Sequence, residues 1–238
     1  MKWALFSDIH ANIRALDRVL EAIDRENPDK VICLGDLVGY GANPNEVIDR
    51  LRERKIPTIM GNYDDGVGYD RQDCGCAYTT KEDRELGDRS LAWSKAAVIP
   101  ENKNYLRKLL PEIRENVEGW EVLLVHGSPR KINEYLFVDR PEERVAPMLK
   151  KTGADIVICG HTHLPYHKNI EGIHLINTGS VGKPKSGSPE ADFVIINFAE
   201  ELEVSFRKVK YDWEAAADDI IKAGLPEKFA QQVRTGTP

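Results

Sequence analysis

Aspartate, asparagine and histidine residues recur where apolar runs of this chain end. Asp8 and His10 end the run in "LFSDIHAN", and Asp36 ends the run in "KVICLGD". Carboxylate oxygens and imidazole nitrogens are suitable ligands for divalent ions such as Mn²⁺, Fe²⁺ and Zn²⁺. A carboxylate has two oxygens, so one such group can also bridge two ions. The pattern therefore indicates metal chemistry at the ends of strands.

The pattern recurs later in the chain, where Asn62, His126 and the pair in "GHTH" each adjoin a glycine. Each motif alone has an ordinary structural explanation, because D-x-H often caps a helix and G-D and G-N are turn dipeptides. A single histidine is also more often a satisfied interior residue. The ordered set is what favours a metal site. The predicted metal ligands are Asp8, His10, Asp36, Asn62, His126, His161 and His163.

Alternating strands and helices are expected to position these residues. Short apolar runs rich in β-branched residues, such as "KWALF" and "DIVICGHTH", alternate with stretches of helical spacing, such as "NIRALDRVLEAIDRE". Apolar residues fill consecutive positions of these runs, which predicts strands covered on both faces, as in layered α/β folds. Ligands of open α/β sheets bind beyond the carboxyl ends of the strands. The polar tips should therefore converge on one edge.

Several segments extend or interrupt this alternation. "PTIMGN" is expected to be a further short strand, the chain around Ala199–Glu201 the turn of a hairpin, and the tail from Asp212 helical. Residues 63–103 begin rich in Gly and Asp and then become helical, which we interpret as a helical insertion. An outer helix is favoured over a lid or an oligomer contact. Because no repeat or linker is seen, residues 1–238 are predicted to form a single domain.

The overall composition argues against some classes of function. The 238 residues carry a formal net charge of −6, which does not favour a general nucleic-acid binder, although a local basic groove is left open. No apolar run approaches the roughly 20 residues of a membrane span. The first residues also lack the long apolar stretch of a signal peptide. We therefore expect a cytoplasmic protein with no membrane partner.

Cysteine and lysine residues outside the motifs are given structural interpretations. Cys74 and Cys76 form a lone C-x-C with no second motif, which favours a structural loop over a metal or redox site. Lys183 and Lys185 follow "NTGSVG" and could attract a phosphate, but two such lysines are more often solvated.

The ordered motifs resemble those of the calcineurin-like metallophosphoesterase superfamily. In chain order they are D-x-H at Asp8, G-D-x-x-G at Gly35, G-N-x-D at Gly61, H-G at His126 and G-H-x-H at Gly160, with "NTGSVG" at Asn177 as a further landmark. The short "GDLVGYGANPNEV" is similar to small prokaryotic members. Eukaryotic Ser/Thr phosphatases carry an arginine after this motif, where the present chain has Gly39 and Tyr40.

The resemblance implies a four-layer αββα sandwich of two mixed β-sheets flanked by helices, with a dinuclear metal centre. One ion would be held by Asp8, His10, Asp36 and His163. The other would be held by Asp36, Asn62, His126 and His161, so that Asp36 bridges the two ions. The ions, which could be Mn, Fe, Zn or Ni, would activate a bridging hydroxide for in-line attack on phosphorus.

One position departs from the family pattern. Many members have G-N-H-[DE], whose histidine protonates or orients the leaving oxygen, whereas this chain reads "GNYDD" with Tyr63 in that place. A phenol, with a pKa of about 10, is a poor proton donor compared with imidazolium. Asp64 matches the family's acid but lacks the usual histidine partner. The catalytic residues implied are Asp36, Asn62, Tyr63 and Asp64, and we predict a phosphodiesterase acting on a small phosphoester. The alternative is that Tyr63 only packs.

Other functions stay open at this point. A nucleotide hydrolase or a Ser/Thr phosphoprotein phosphatase could use the same scaffold, although the missing arginine and "GNYD" count against the phosphatase. A non-catalytic interaction scaffold should show broken ligands, whereas all seven are intact here. A metal sensor without turnover is a further alternative. The sequence leaves a homo-oligomer open as well.

Overall fold

The protein was analysed as a computed structural model that describes residues 1–78 and 80–238. Its strands are β1 (Lys2–Phe6), β2 (Lys30–Cys33), β3 (Glu112–Val117), β4 (Trp120–Val125), β5 (Ile156–Cys159), β6 (Tyr166–Ile170), β7 (Ile173–Asn177), β8 (Ala191–Asn197) and β9 (Glu203–Val209). Its helices are α1 (Ile13–Glu26), α2 (Pro44–Glu53), α3 (Asn62–Gly68), α4 (Lys81–Ala97), α5 (Pro100–Leu106), α6 (Glu142–Lys150), α7 (Trp213–Lys222) and α8 (Glu227–Thr235).

The strands form two mixed sheets. The first has the order β2-β1-β8-β9 and the second the order β3-β4-β5-β7-β6. Strand β1 is parallel to β2 and antiparallel to β8. In the second sheet, β4, β5 and β7 are parallel, while the edge strands β3 and β6 are antiparallel to their neighbours. Strands β1, β2, β4 and β5 are each followed by a loop that carries predicted ligands.

Alternate residues of the central strands face different layers, which explains their consecutive apolar positions. In β1, Ala4 and Phe6 pack with buried residues of the helices on one side. Trp3 and Leu5 point the other way, into the apolar layer between the two sheets. Helix α6 covers the outer face of the second sheet. The predicted αββα sandwich is therefore confirmed, and it holds the ligand-bearing strand ends on a rigid scaffold.

The expected strand in "PTIMGN" was wrong. This segment makes only isolated bridges, from Cys33 to Thr58 and from Ile59 to Leu110. Pro57 has no N–H and therefore cannot donate to a strand ladder, although its carbonyl accepts from the Cys33 N–H. The segment still runs alongside β2 and delivers Asn62 to the site.

Other local expectations are confirmed. Strands β8 and β9 form the predicted hairpin, and the tail contains α7 and α8. Residues 63–103 contain most of α3, all of α4 and the beginning of α5, although their status as an insertion and the single domain of residues 1–238 stay predictions. None of the helices in the described part of the chain is long and apolar enough to cross a membrane. Strand β3 was not foreseen, because its sequence "EIRENV" is mostly polar, as suits a sheet edge.

Candidate metal centre

The loops after the strands hold the predicted ligands in an uncommon backbone conformation. Positive φ angles are found at Asp8 (54°), His10 (48°), Asp36 (56°), His161 (65°) and His163 (63°). Residues with a Cβ seldom adopt this region, and each such residue costs about 1–3 kcal/mol unless the surrounding structure enforces it. Strain of this kind concentrates at functional sites. Its presence at five predicted ligands is a second, independent mark of the site.

Asp8, His10 and His163 form the first group of side chains. Their ligand atoms lie within 4.8 Å of one another, and all three residues are buried. The Nε2 atom of His163 lies 3.2 Å from Asp8 Oδ1 and 3.2 Å from His10 Nε2. The group offers one carboxylate oxygen and two imidazole nitrogens to a common point.

Asp36, His126 and His161 form the second group, with the same mutual spacing and burial. The Nε2 atom of His126 lies 3.4 Å from Asp36 Oδ2 and 3.2 Å from the Asn62 side-chain oxygen. Asn62 therefore adjoins this group. Each group lies within one of the two four-residue ligand sets that the resemblance implies, although Asp36, which the resemblance gives to both sets, is counted here only in the second.

Asp36 lies between the two groups. Its Oδ2 is 3.4 Å from His126 Nε2 in the second group and 3.8 Å from His10 Nε2 in the first. The other oxygen, Oδ1, accepts a hydrogen bond of 2.8 Å from the Tyr63 N–H. This bond fixes the carboxylate plane and aims Oδ2 between the histidines.

Backbone carbonyls fix the orientation of three histidine rings. The Nδ1 atoms of His10, His126 and His163 lie 3.0, 2.7 and 2.5 Å from the carbonyls of Val38, Leu34 and Lys183, respectively. A carbonyl only accepts, so each Nδ1 carries the proton. In a neutral ring Nε2 then keeps its lone pair, as in metal-binding histidines, and burial favours this neutral state for His10 and His163 by lowering their pKa values. The Nε2 atoms of His10 and His163 are both acceptors in this state, so a cation suits the point where they converge.

The loop that carries Cys74 and Cys76 orients the Asn62 amide. Its Nδ2 donates to the Cys74 carbonyl at 3.1 Å and to the Cys76 sulfur at 3.2 Å. The amide oxygen is thereby turned toward His126. The structural role of this C-x-C loop is therefore to hold the side chain of Asn62, a predicted ligand.

Asp64 is fully buried and binds backbone. Its Oδ2 accepts from the N–H groups of Asp36 and Gly61 at 2.8 and 2.9 Å, and its Oδ1 accepts from Leu37 at 2.9 Å. Burial and the charge of Asp36 raise the pKa of Asp64 to about 7, while the hydrogen bonds from Gly61 and Leu37 lower it. The side chain thus ties the loop after β2 to the beginning of α3.

The Tyr63 side chain is only 1% exposed. Its ring centroid lies 5.6 Å from that of His10 and 4.8 Å from that of Tyr40, and its hydroxyl is 3.3 Å from that of Tyr78. A Cβ on Gly39 would come within 2.4 Å of the Tyr63 ring, so this glycine leaves the space that the ring fills. The catalytic roles predicted for Tyr63 and Asp64 stay predictions.

The buried charges of the site influence one another strongly. Burial lowers the pKa of His126, but the carboxylates of Asp36 and Asp8 raise it to about 10. Burial lowers the pKa of His161 to about 3, with a further lowering from His126. Burial raises the pKa of Asp36, yet His126 and His10 hold it below its usual range. The carboxylates are therefore ionised in a region that excludes water, which attracts cations.

Two buried atoms without hydrogen-bond partners indicate whether these residues suit metal ions. Asp8 Oδ1 and His161 Nε2 have no hydrogen-bond partner among the described residues. One belongs to each group, and both are acceptor-capable atoms of the kind that bind borderline divalent ions. An unpartnered buried polar atom costs free energy, and a metal ion bound to each of these two atoms would offset that cost. The donor set fits two divalent cations, and the seven residues listed from the sequence could hold them.

Sequence reasoning missed several parts of the site. The carbonyls that orient the histidines carry no side-chain signal, and Ser7, whose hydroxyl donates to Asp8 Oδ2, looked like part of a strand end. The expectation that Lys183 is solvated was wrong, because its side chain is buried and 6% exposed. Its apolar neighbours "VG" and proline were the available signal for burial.

Comparison with known proteins gives a consistent set of similarities. A sequence profile of the calcineurin-like phosphoesterase superfamily domain matches residues 1–201. A protein of Methanocaldococcus jannaschii described as uncharacterized is 34% identical, over 98% of this chain and 97% of its own. Phosphodiesterase YfcE of Escherichia coli is 28% identical, over 79% of this chain and 84% of its own.

Solved structures resemble the fold over its whole length. The crystal structure of a metallophosphoesterase from Sphaerobacter thermophilus superposes with a TM-score of 0.81 at 25% identity, covering 100% of this chain and 99% of that one. A hypothetical protein from Pyrococcus horikoshii superposes with a TM-score of 0.86 at 23% identity, covering 99% and 98%. At this identity the second likeness shows the fold alone.

Proposed function

Because the chain belongs to the calcineurin-like phosphoesterase superfamily, we propose that it is a phosphodiesterase that uses two divalent metal ions. The observation that supports this proposal most is the position of Asp36 Oδ2 between His126 and His10. A single carboxylate placed between two ligand groups suits a pair of ions that share it. The printed function of the relative YfcE, a phosphodiesterase, favours the same reaction.

Each ion has its own proposed ligands, and Asp36 is common to both. The first ion is held by Asp8, His10, Asp36 and His163. The second ion is held by Asp36, Asn62, His126 and His161. Mixed nitrogen and oxygen donors suit Mn²⁺, Fe²⁺, Zn²⁺ or Ni²⁺. When bound, two such ions can neutralise phosphoryl oxygens and lower the pKa of a water molecule that attacks phosphorus.

The protein's own groups keep the ligands in place. Two neighbouring groups hold Asp36. The Tyr63 N–H donates to the Asp36 side chain, and the Asp64 carboxylate accepts from the Asp36 backbone N–H. We assign Asp64 a positioning role, because both of its oxygens accept from backbone. Burial of the whole set excludes water and strengthens its interaction with a cation.

The diester preference follows from the position of Tyr63. The family's histidine is replaced by a phenol, and burial raises the pKa of Tyr63 well above its ordinary value. Such a group cannot supply a proton to a poor leaving group at neutral pH. Diesters carry one negative charge fewer than monoesters and react well when the leaving group is stable without a proton.

The function is tested by hydrolysis of bis-(p-nitrophenyl) phosphate beside p-nitrophenyl phosphate, with Mn²⁺, Ni²⁺, Zn²⁺ and Mg²⁺ in turn. We expect turnover that requires metal and a higher kcat/KM for the diester. Metal-independent turnover, or no turnover although two ions are bound, would contradict the proposal. The second outcome would favour a scaffold or a metal sensor.

The substitution Tyr63→His tests the origin of the preference. For a monoester with a poor, alkyl leaving group, such as glycerol 2-phosphate, restoring an imidazole should raise the kcat relative to that for bis-(p-nitrophenyl) phosphate by about tenfold or more, because general acid catalysis typically contributes 10²–10⁴-fold. Tyr63→Phe is the matched control, since it keeps the ring and removes only the hydroxyl. A diester-to-monoester ratio that is the same in all three proteins would mean that Tyr63 only packs.

A further inference from the structure

A cavity of about 340 Å³ lies beside the proposed metal centre. Three of its lining residues touch histidines of that centre. The Tyr40 ring centroid is 4.9 Å from that of His10, and the Tyr135 ring centroid is 3.9 Å from that of His161. The Lys183 carbonyl accepts from His163 Nδ1. The cavity therefore adjoins the proposed metal centre through these three lining residues.

The cavity contains three lysines, and they differ in their partners. Lys228 is paired with Glu82 and Asp83, at 3.6 and 3.5 Å. Lys183 and Lys185 have no carboxylate within ion-pair distance in the described part of the chain. Lys183 is nevertheless only 6% exposed, and its Nζ lies 4.8 Å from the Tyr40 ring centroid.

A buried ammonium group without an anion is costly. Transfer of a charged group out of water is repaid only by a partner of opposite charge with good hydrogen bonds. A cation–π contact such as that with Tyr40 repays a part, about 1–2 kcal/mol. The rings of Tyr40, Tyr78 and Tyr135 line the same cavity, through which an anion can approach the ammonium group.

We propose that Lys183 and Lys185 bind a second phosphate group of the substrate while the first phosphate is held at the metal centre. This inference rests on the proposed function and narrows the substrate class to molecules with two phosphate groups, such as nucleoside diphosphates or nucleoside bisphosphates. The metal ions would bind the phosphate that reacts, and the positive charges of Lys183 and Lys185 would balance the negative charge of the second phosphate. Lysine binds phosphate as a point charge, so the cavity tolerates more than one linker.

The available distances suit a short linker between the two phosphates. The Lys183 Nζ is 4.8 Å from the Tyr40 ring centroid, which is 4.9 Å from the His10 ring centroid. The ammonium group can therefore be no farther from the His10 ring than the sum of these two distances. A ribose joining two phosphates, or a direct diphosphate link, spans such a gap.

Direct binding to the Mn²⁺-loaded protein tests the proposal. The probes are inorganic phosphate, AMP, ADP and adenosine 3′,5′-bisphosphate, measured by isothermal titration calorimetry with excess Mn²⁺. At least one of the two-phosphate probes should bind about tenfold more tightly than AMP, since a charged hydrogen bond of about 1.5–3 kcal/mol corresponds to such a factor. Equal affinity of AMP and both two-phosphate probes would overturn the proposal.

Variants assign the effect to the two lysines. Lys183→Met and Lys185→Met should each remove most of the preference over AMP, and Lys185→Met should leave the affinity for inorganic phosphate within about twofold. The Met side chain keeps much of the length, and the Lys183 carbonyl that orients His163 stays in place. Lys108→Met, at an exposed position, is the matched control and should change neither affinity. A preference that survives in both cavity variants would overturn the proposal.

The result can be separated from failure of the proposed function. If the protein hydrolyses no phosphodiester but the lysine-dependent preference is found, the cavity proposal stands and the phosphodiesterase proposal fails. If the diester is hydrolysed but the preference is missing, only the cavity proposal fails. Melting temperatures of all variants show that each protein is folded when its affinities are compared.

Discussion

The substitution Asp36→Asn is expected to lower the metal-dependent kcat for bis-(p-nitrophenyl) phosphate by at least about a thousandfold, which corresponds to about 4 kcal/mol of lost transition-state stabilisation. The side chain hardly changes in size, so the effect should arise from chemistry. Oδ1 of Asp36 accepts from the Tyr63 N–H at 2.8 Å. The asparagine oxygen will keep this bond, which places the amide NH₂ where Oδ2 now faces His126 and His10.

An NH₂ group at that position cannot bind a cation and removes the negative charge shared by the two ligand groups. The measurement is steady-state kinetics with saturating Mn²⁺, together with the number of ions retained per chain. Asp192→Asn is a matched control, because Asp192 is also a buried aspartate but belongs to neither ligand group and is paired with Lys208. The control should keep turnover within about twofold. An Asp36→Asn protein that keeps more than a tenth of the wild-type kcat would contradict the bridging role.

The substitution Asp64→Asn is expected to lower the free energy of unfolding by about 2–5 kcal/mol. The carboxylate accepts three backbone hydrogen bonds, from Asp36, Leu37 and Gly61. An amide has one oxygen and one NH₂ group, so at least one buried backbone N–H would face another donor. The loop after β2 should loosen and the affinity for metal should fall, by about 10–100-fold as for other residues that orient ligands.

Urea unfolding of the metal-free and metal-loaded proteins measures the first effect, and Mn²⁺ titration measures the second. The neighbouring Asp65→Asn serves as control, since Asp65 makes a surface ion pair with Arg71 and should change stability by less than about 1 kcal/mol. A positioning role predicts that excess Mn²⁺ restores much of the Asp64→Asn turnover. Wild-type stability and metal affinity combined with lost turnover would instead show that Asp64 takes part in the chemistry.

Much of the candidate site could be predicted because its proposed ligands are unusual residue types at strand ends. Asp8, Asp36 and His126 carry their signal in the side chain, and a neighbouring glycine or apolar run gives their place. The αββα sandwich could be expected from consecutive apolar positions together with the family resemblance. Each motif is read from neighbouring residues, and the order of the motifs along the chain carries the resemblance.

The remaining features depend on contacts between distant segments. The carbonyls of Val38 and Leu34 orient histidines that are 28 and 92 positions away in the chain, and any residue type could supply them. Lys183 looked solvated because a lysine usually is, and only the packing of the loop after β7 against Tyr40 buries it. Pro57 interrupts a ladder that periodicity alone would have continued. Tertiary contacts, which a single sequence does not display, decide each of these.

The most direct test of the account is the number of metal ions that the wild-type chain holds. The protein would be loaded with Mn²⁺, freed of excess ions and measured by mass spectrometry of its metal content, with Asp36→Asn treated in parallel. The account predicts two ions per wild-type chain and fewer in the variant. A single ion in the wild type, or an unchanged content of two in Asp36→Asn, would contradict a centre in which one aspartate joins two metal sites.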